Sequence, residues 1–159
     1  MSDATDPLAL ERQVCFALSI AARSVLSVYR PLLEPLGLTH PQYLVMLALW
    51  GDSPLSVREL ATVLHLDSPT LSPLLKRLEA AGLLTRTREE HNERQLRIEL
   101  TERGRDMRAD AQRIPPAIIS LLGIEISALE DLLASLTSLI DAAHAAGVRP
   151  LPEPAPGSV

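Results

Sequence analysis

At Gly82 the pattern of apolar residues changes period, and that change limits what the chain can build. Before it, Leu71, Leu74, Leu75 and Leu78 recur at three- and four-residue steps, the spacing of one buried helical stripe. After it, Leu96, Ile98 and Leu100 alternate with Gln95, Arg97 and Glu99, the two-residue period of a strand with one buried face. Leu83 to Arg88 has the same strand character. Between the two runs lies a wholly polar tip, Glu89-Glu90-His91-Asn92-Glu93-Arg94. A helix closed by glycine therefore runs directly into a β-hairpin with a projecting turn.

The residues upstream add a second helix. Ser56-Val57-Arg58-Glu59 has the spacing of a capping box, in which the serine hydroxyl and the glutamate carboxylate each bind the other's backbone N–H. It predicts a short helix through Leu64. Leu66 and Asp67 make a tight connection. Ser68 followed by Pro69 reads as an N-cap with proline at the first helical position, opening a helix to about Ala81. Pro73 inside it removes one backbone donor and predicts a slight distortion. Two short helices joined by a turn and followed by a hairpin make a winged helix-turn-helix. The fold class is mainly α with a small β-hairpin.

Long helices flank this lobe. Leu10, Val14, Leu18, Ala21, Val25, Val28 and Leu32 predict a helix from Leu8 to Leu33, frayed at its end by Pro31 and Pro35. Thr39 and Gln42 have capping-box spacing for a second helix that ends at Gly51. Thr101 caps a further helix, interrupted at Pro115-Pro116. Ser127-Ala128-Leu129-Glu130 is a third capping box, opening a last amphipathic helix through about Ala146. Residues 1–159 thus read as one domain: 39–100 the winged lobe, 8–34 and 101–146 dimerisation helices, and 147–159 a proline-rich tail expected to be disordered. Leu129, Leu132, Leu133, Leu136 and Ile140 exceed what a small lobe can cover, and they favour pairing with a second copy over an intramolecular core.

Composition narrows the function. The N-terminus carries acids rather than a signal region, and Ala117 to Ile124 is too short to span a bilayer, so a cytoplasmic protein with no membrane segment is expected. Cys15 is the one cysteine, which excludes an internal disulfide. The four histidines lack metal-ligand spacing, and neither a metal nor a cofactor is expected. Net charge is −5, unlike a protein that simply coats nucleic acid. Yet residues 56–100 hold seven Arg/Lys against seven Asp/Glu, so a local DNA-binding face remains open. In such a lobe the second helix presents its N-terminal residues to the major groove, here Ser68, Thr70 and Ser72. Lys76 and Arg77 follow, suited to phosphates or a guanine edge. Arg94 in the wing is expected at the minor groove, with Arg86 or Arg88 on the flanking backbone. Each arginine alone reads equally well as an ordinary solvated charge; the set on one frame does not.

Three segments carry a resemblance: Arg30-Pro-Leu-Leu-Glu-Pro-Leu-Gly-Leu-Thr39, Pro41-Gln-Tyr-Leu-Val-Met-Leu47 and Leu74-Leu-Lys-Arg-Leu-Glu-Ala-Ala-Gly-Leu83. They resemble the MarR family, most of all its organic-hydroperoxide-sensing OhrR branch, over roughly Leu8 to Ile140. The resemblance implies a repressor dimer on a pseudo-palindromic operator, released when a cysteine near the start of the first helix is oxidised. Cys15 matches that position, and with no second cysteine the chain resembles the one-cysteine type. Tyr29 matches one of the tyrosines that surround the cysteine in this branch. His40 and Ser19 stand where others are expected, and Asn92 stands where the wing motif usually has Asp. Tyr29 lies fourteen residues beyond Cys15, about 21 Å along a continuous helix, so it meets Cys15 only from the other subunit.

Two further readings compete with this one. In a MarR-type repressor released by a small aromatic ligand, Cys15 is a spectator. A thiol peroxidase would turn the same cysteine over catalytically, but it would need neither the second helix nor the wing, and it ranks far last.

Overall fold

The computed structural model describes Leu10, residues 13–89 and residues 92–147, with side chains left undescribed at 89 and 92–95. The chain divides into two compact units, residues 1–121 and 122–159.

In the first unit, helix α1 (Val14–Leu33) begins later than the periodicity predicts; most of residues 8–12 lie outside the described residues. Pro31 does not fray this helix but sits inside its last turn. A 3-10 turn, Glu34–Leu36, then closes on Gly37, whose φ of 66° is the left-handed conformation that glycine adopts without strain. Helix α2 (His40–Gly51) follows from Thr39, with Pro41 in its first turn; Gln42 Oε1 accepts from the Thr39 backbone N–H at 2.9 Å. Both expectations for this helix hold.

Helix α3 (Val57–Leu64) starts on the predicted capping box. Ser56 N–H donates to Glu59 Oε2 at 2.7 Å, and Glu59 N–H donates to Ser56 Oγ at 3.1 Å. Helix α4 (Ser68–Ala80) corrects the sequence reading by one residue. Asp67, not Ser68, is the N-cap, accepting from Thr70 N–H at 2.7 Å, and Ser68 is the first helical residue. A carboxylate at this place also opposes the positive end of the helix, which a serine does not.

Strands β2 (Leu84–Glu89) and β3 (Asn92–Leu100) form the hairpin, pairing antiparallel from Leu84 with Leu100 to Arg88 with Leu96. A strand that sequence reasoning missed, β1 (Leu55–Ser56), pairs with the other edge of β3, so the sheet order is β1-β3-β2. The core lies beneath this sheet: Val45, Met46, Leu49, Leu60, Leu71, Leu75, Leu78, Leu84 and Ile98 are all buried. Leu74, read as part of the same stripe, is half-buried.

Helix α5 (Glu102–Ala111) is capped by Thr101 as predicted, with Gly104 N–H donating to Thr101 Oγ1 at 3.0 Å. Gly104 is required there, because a Cβ would stand 2.0 Å from the Leu83 carbonyl oxygen. The expected break at Pro115-Pro116 falls earlier, at residues 112–113. The prolines lie in the first turn of helix α6 (Ile114–Leu122), where missing N–H donors cost nothing.

In the second unit, helix α7 (Ile126–Ala146) is capped at Glu125 without a side-chain hydrogen bond. The capping box expected at Ser127 is absent, because Ser127 is already helical. None of its residues is buried; Leu132, Leu133 and Ile140 are exposed, and Leu129 and Leu136 are half-buried. The tail from 148 onward lies outside the described residues.

By length and composition the segment Val14–Leu36, of mean hydropathy 1.2, is long and apolar enough to cross a membrane, a property the sequence reading passed over. It also carries Arg23 and Arg30, each costing roughly 2.5–3.5 kcal/mol at a bilayer centre. Such a helix fits a protein interface better.

Candidate functional site

Helix α4 carries the residues expected to face DNA. Ser68 and Thr70 are exposed in its first turn, and Ser72 is half-buried. Lys76 and Arg77 are exposed and make no ion pair among the described residues. Hydrogen bonding from Thr70 holds the Asp67 carboxyl below its ordinary value of 3.8, so the cap is charged wherever the protein is folded near neutrality.

Arg86, expected on the flanking DNA backbone, makes an ion pair within the chain. Its guanidinium is engaged by Glu79 of α4, with Nε donating at 2.8 Å and Nη2 at 2.5 Å to the same carboxylate oxygen. Its backbone N–H donates to the other oxygen at 3.3 Å. The arginine thus joins β2 to α4. Glu79 was missed because the pair spans helix and strand, and neither period reports it. Arg88 is exposed at the hairpin. The backbone of Arg94 belongs to β3, while its side chain lies outside the described residues, as do those of Asn92 and Glu93.

Cys15 occupies the first turn of α1 and is exposed. Ser19 donates its hydroxyl to the Cys15 carbonyl oxygen at 2.8 Å, so it is bound to its own helix and does not reach for the thiol. At the far end of α1, Tyr29 and His40 meet edge to face, ring centroids 5.0 Å apart at 72°. Tyr43 lies 6.2 Å from Tyr29 and 6.3 Å from His40. Burial pushes the His40 imidazole below its ordinary value of 6.5. At neutral pH it therefore offers an N–H donor and a lone pair, not a cation that would favour a thiolate. One chain brings Tyr29 and His40 together and leaves Cys15 at the opposite end of the same helix.

Beside His40 opens a cavity of about 600 Å³, walled by Leu26, Leu33, Leu38 and Thr39, with Arg30 on its lining. Tyr43 is buried, as expected of a core residue, and Trp50 ties α2 to α5 by donating Nε1–H to the Gly104 carbonyl at 2.8 Å. Among the described residues no cluster of three or more His, Cys, Asp or Glu could hold a metal ion.

Residues 27–110 match the family model for the transcriptional regulator SarA/Rot. The chain is 44% identical over 148 residues to the HTH-type transcriptional regulator TtmR of Methylorubrum extorquens, covering 92% of this chain and 76% of that one. It is 40% identical over 144 residues to the organic hydroperoxide resistance transcriptional regulator of Bacillus subtilis, covering 91% of this chain and 98% of that one. Among solved structures, AbfR of Staphylococcus epidermidis, overoxidised and bound to DNA, is 36% identical with a TM-score of 0.66, covering 82% of this chain and 94% of that one. AbfR is also known reduced on DNA and as a disulfide-formed protein. A MarR-family regulator from Rhodococcus sp. RHA1 is 29% identical with a TM-score of 0.74, covering 83% and 95%. With the lobe, the sheet and the flanking helices arranged as described, the chain belongs to the winged-helix transcriptional regulators of the SarA/Rot and MarR type, and it is similar to the OhrR branch.

Proposed function

We propose that the protein is a homodimeric transcriptional repressor that leaves its operator when an organic hydroperoxide oxidises Cys15. The observation that carries this reading is the exposed thiol in the first turn of α1, in a chain so similar to the Bacillus subtilis hydroperoxide regulator. Helices α1 and α7, apolar and uncovered in one chain, supply the surface for the second copy. About 21 Å separates Cys15 from Tyr29 within one helix, so the Tyr29–His40 pair of each protomer receives the thiol of its partner. Each lobe reads one half-site, with half-sites about one DNA turn apart. Ser68, Thr70 and Ser72 face the major groove, Lys76, Arg77 and Arg88 bind phosphates, and Arg94 enters the minor groove.

The thiolate sulfur attacks the outer oxygen of the hydroperoxide, and the O–O bond breaks. The alkoxide leaves and takes up a proton as the alcohol, while sulfur is oxidised to the sulfenic acid. No second cysteine is available in the chain, so a small external thiol condenses with the sulfenic acid, releasing water and leaving a mixed disulfide. The DNA-bound overoxidised form of AbfR favours the mixed disulfide over further oxidation as the releasing species. Oxidation then disfavours the spacing of the two α4 helices that fits DNA. The protein acts in the cytoplasm, without cofactor, metal or catalytic turnover.

The cavity beside His40 favours one second reading, release by a small apolar ligand with Cys15 a spectator. Operator binding of wild type and Cys15→Ser, titrated with cumene hydroperoxide and a small thiol, separates the two. Release of wild type alone is the expected result. If both proteins stay bound, oxidation is not the signal and a ligand takes its place.

A further inference from the structure

The ion pair at the base of the wing joins the two elements that would touch DNA. Glu79 lies three residues beyond Lys76 on α4, so the two side chains are neighbours on the helix surface. An unpaired carboxylate beside a phosphate-facing lysine would repel the DNA backbone. Arg86 neutralises it, and the neutralisation is mutual: the guanidinium is held by two hydrogen bonds to one oxygen. The other oxygen takes the main-chain N–H of the same residue, so a single carboxylate fixes both the side chain and the backbone of β2. Both side chains still border water, at 25% and 36% exposure, so Arg86 is not confined to the core and has solvent to swing into. An ordinary surface pair of this exposure contributes little to stability. What sets this one apart is its position and its grip on the backbone.

We propose that Glu79 is a specificity-determining positioning residue: it fixes the pitch of the wing against α4 and withholds the Arg86 guanidinium from DNA phosphates. The inference rests on the DNA-binding reading above. Phosphates accept any free arginine whatever the sequence, so a released Arg86 adds sequence-independent affinity. The wing meanwhile loses the anchor that aligns it with the groove beside its half-site. Glu79 therefore exchanges some total affinity for selectivity.

The test titrates full-length wild type, Glu79→Gln, Glu79→Asp and Arg86→Gln against an operator recovered by selection from random duplexes and against a random duplex of equal length, over a range of salt. Glu79→Gln is expected to bind the random duplex more tightly. Its log–log salt dependence becomes steeper by about 0.9 for each freed arginine. The operator-to-random ratio falls about tenfold, the scale of one mismatched base pair. Arg86→Gln lowers the ratio without the steeper slope, because it leaves no free cation. Glu79→Asp, which keeps the charge, restores the wild-type slope. Glu79→Gln and Arg86→Gln proteins that melt earlier but keep the wild-type ratio and slope would overturn the proposal and leave only a stabilising pair. A wild type with no operator preference would instead remove the DNA-binding reading, and the inference with it.

Discussion

The winged lobe and the long helices solve the burial problem in opposite ways. In the lobe, Leu60, Leu71 and Ile98 are completely buried, helix starts are capped by Ser56 and Asp67, and Glu59 beside Ser56 is held by a hydrogen bond from its backbone. Along α7, Leu133 is 66% exposed and no residue is buried; along α1, only Leu33 is. A lobe assembled from local signals completes its own core. Helices that carry little but an apolar stripe obtain most of their stability from packing, and one chain does not provide it. Under the function proposed above, reading DNA and assembling the reader fall to different parts of the sequence, under different physical constraints.

The sharpest way to break this contrast is to charge α7. Leu133→Glu is expected to leave the lobe folded while dissociating the dimer, and operator affinity should drop about 100-fold or more once two half-sites are no longer bound together. Sedimentation and operator titration read the two effects; an intact dimer would move the interface away from this face. Leu71→Ala attacks the other side of the comparison. At a fully buried site it should cost about 2–5 kcal/mol in urea unfolding. A loss below about 1 kcal/mol would mean that α4 packs against a wall that can collapse around it. Ser56→Ala removes one hydroxyl from the capping box and should cost about 1 kcal/mol.

Acid sharpens the same site. Hydrogen bonding from Ser56 holds the Glu59 carboxyl below its ordinary value of 4.5. The folded state therefore binds this proton less readily than the unfolded one. The associated stability is complete above the ordinary value and is lost as pH falls through the folded one. Glu59→Gln should flatten that part of the acid limb in unfolding measured between pH 7 and pH 3, while an unchanged limb would assign it to Asp67 and Glu79.

Elements specified by neighbouring residues could be read directly from the sequence. The capping box of α3, the cap of α5 and the hairpin each rest on contacts a few residues long. Where two adjacent residues could serve, as at Asp67 and Ser68, the reading slipped by one, because both side chains are good acceptors and Pro69 fits either frame. Strand β1 escaped because two residues, Leu55 and Ser56, have no period, and their partners Ile98 and Arg97 lie some forty residues away. The Glu79–Arg86 pair, though only seven residues apart, escaped because it joins a helix to a strand and neither period reports it. Of the thiol site, position came through the resemblance and geometry from the fold. Tyr29 meets His40 because the turn at Gly37 returns the start of α2 to the end of α1.

Trp50 gives the two regions separate voices. It is the only tryptophan in the chain, and its indole joins α2 of the lobe to α5, the helix that follows it. Helices α1 and α7 contain none, so intrinsic tryptophan emission reports on the lobe and its seam with α5 rather than on these two apolar helices. Emission colour, followed beside a hydrodynamic measurement, can therefore distinguish a protein that has lost its partner from one whose lobe has come apart, without any attached label.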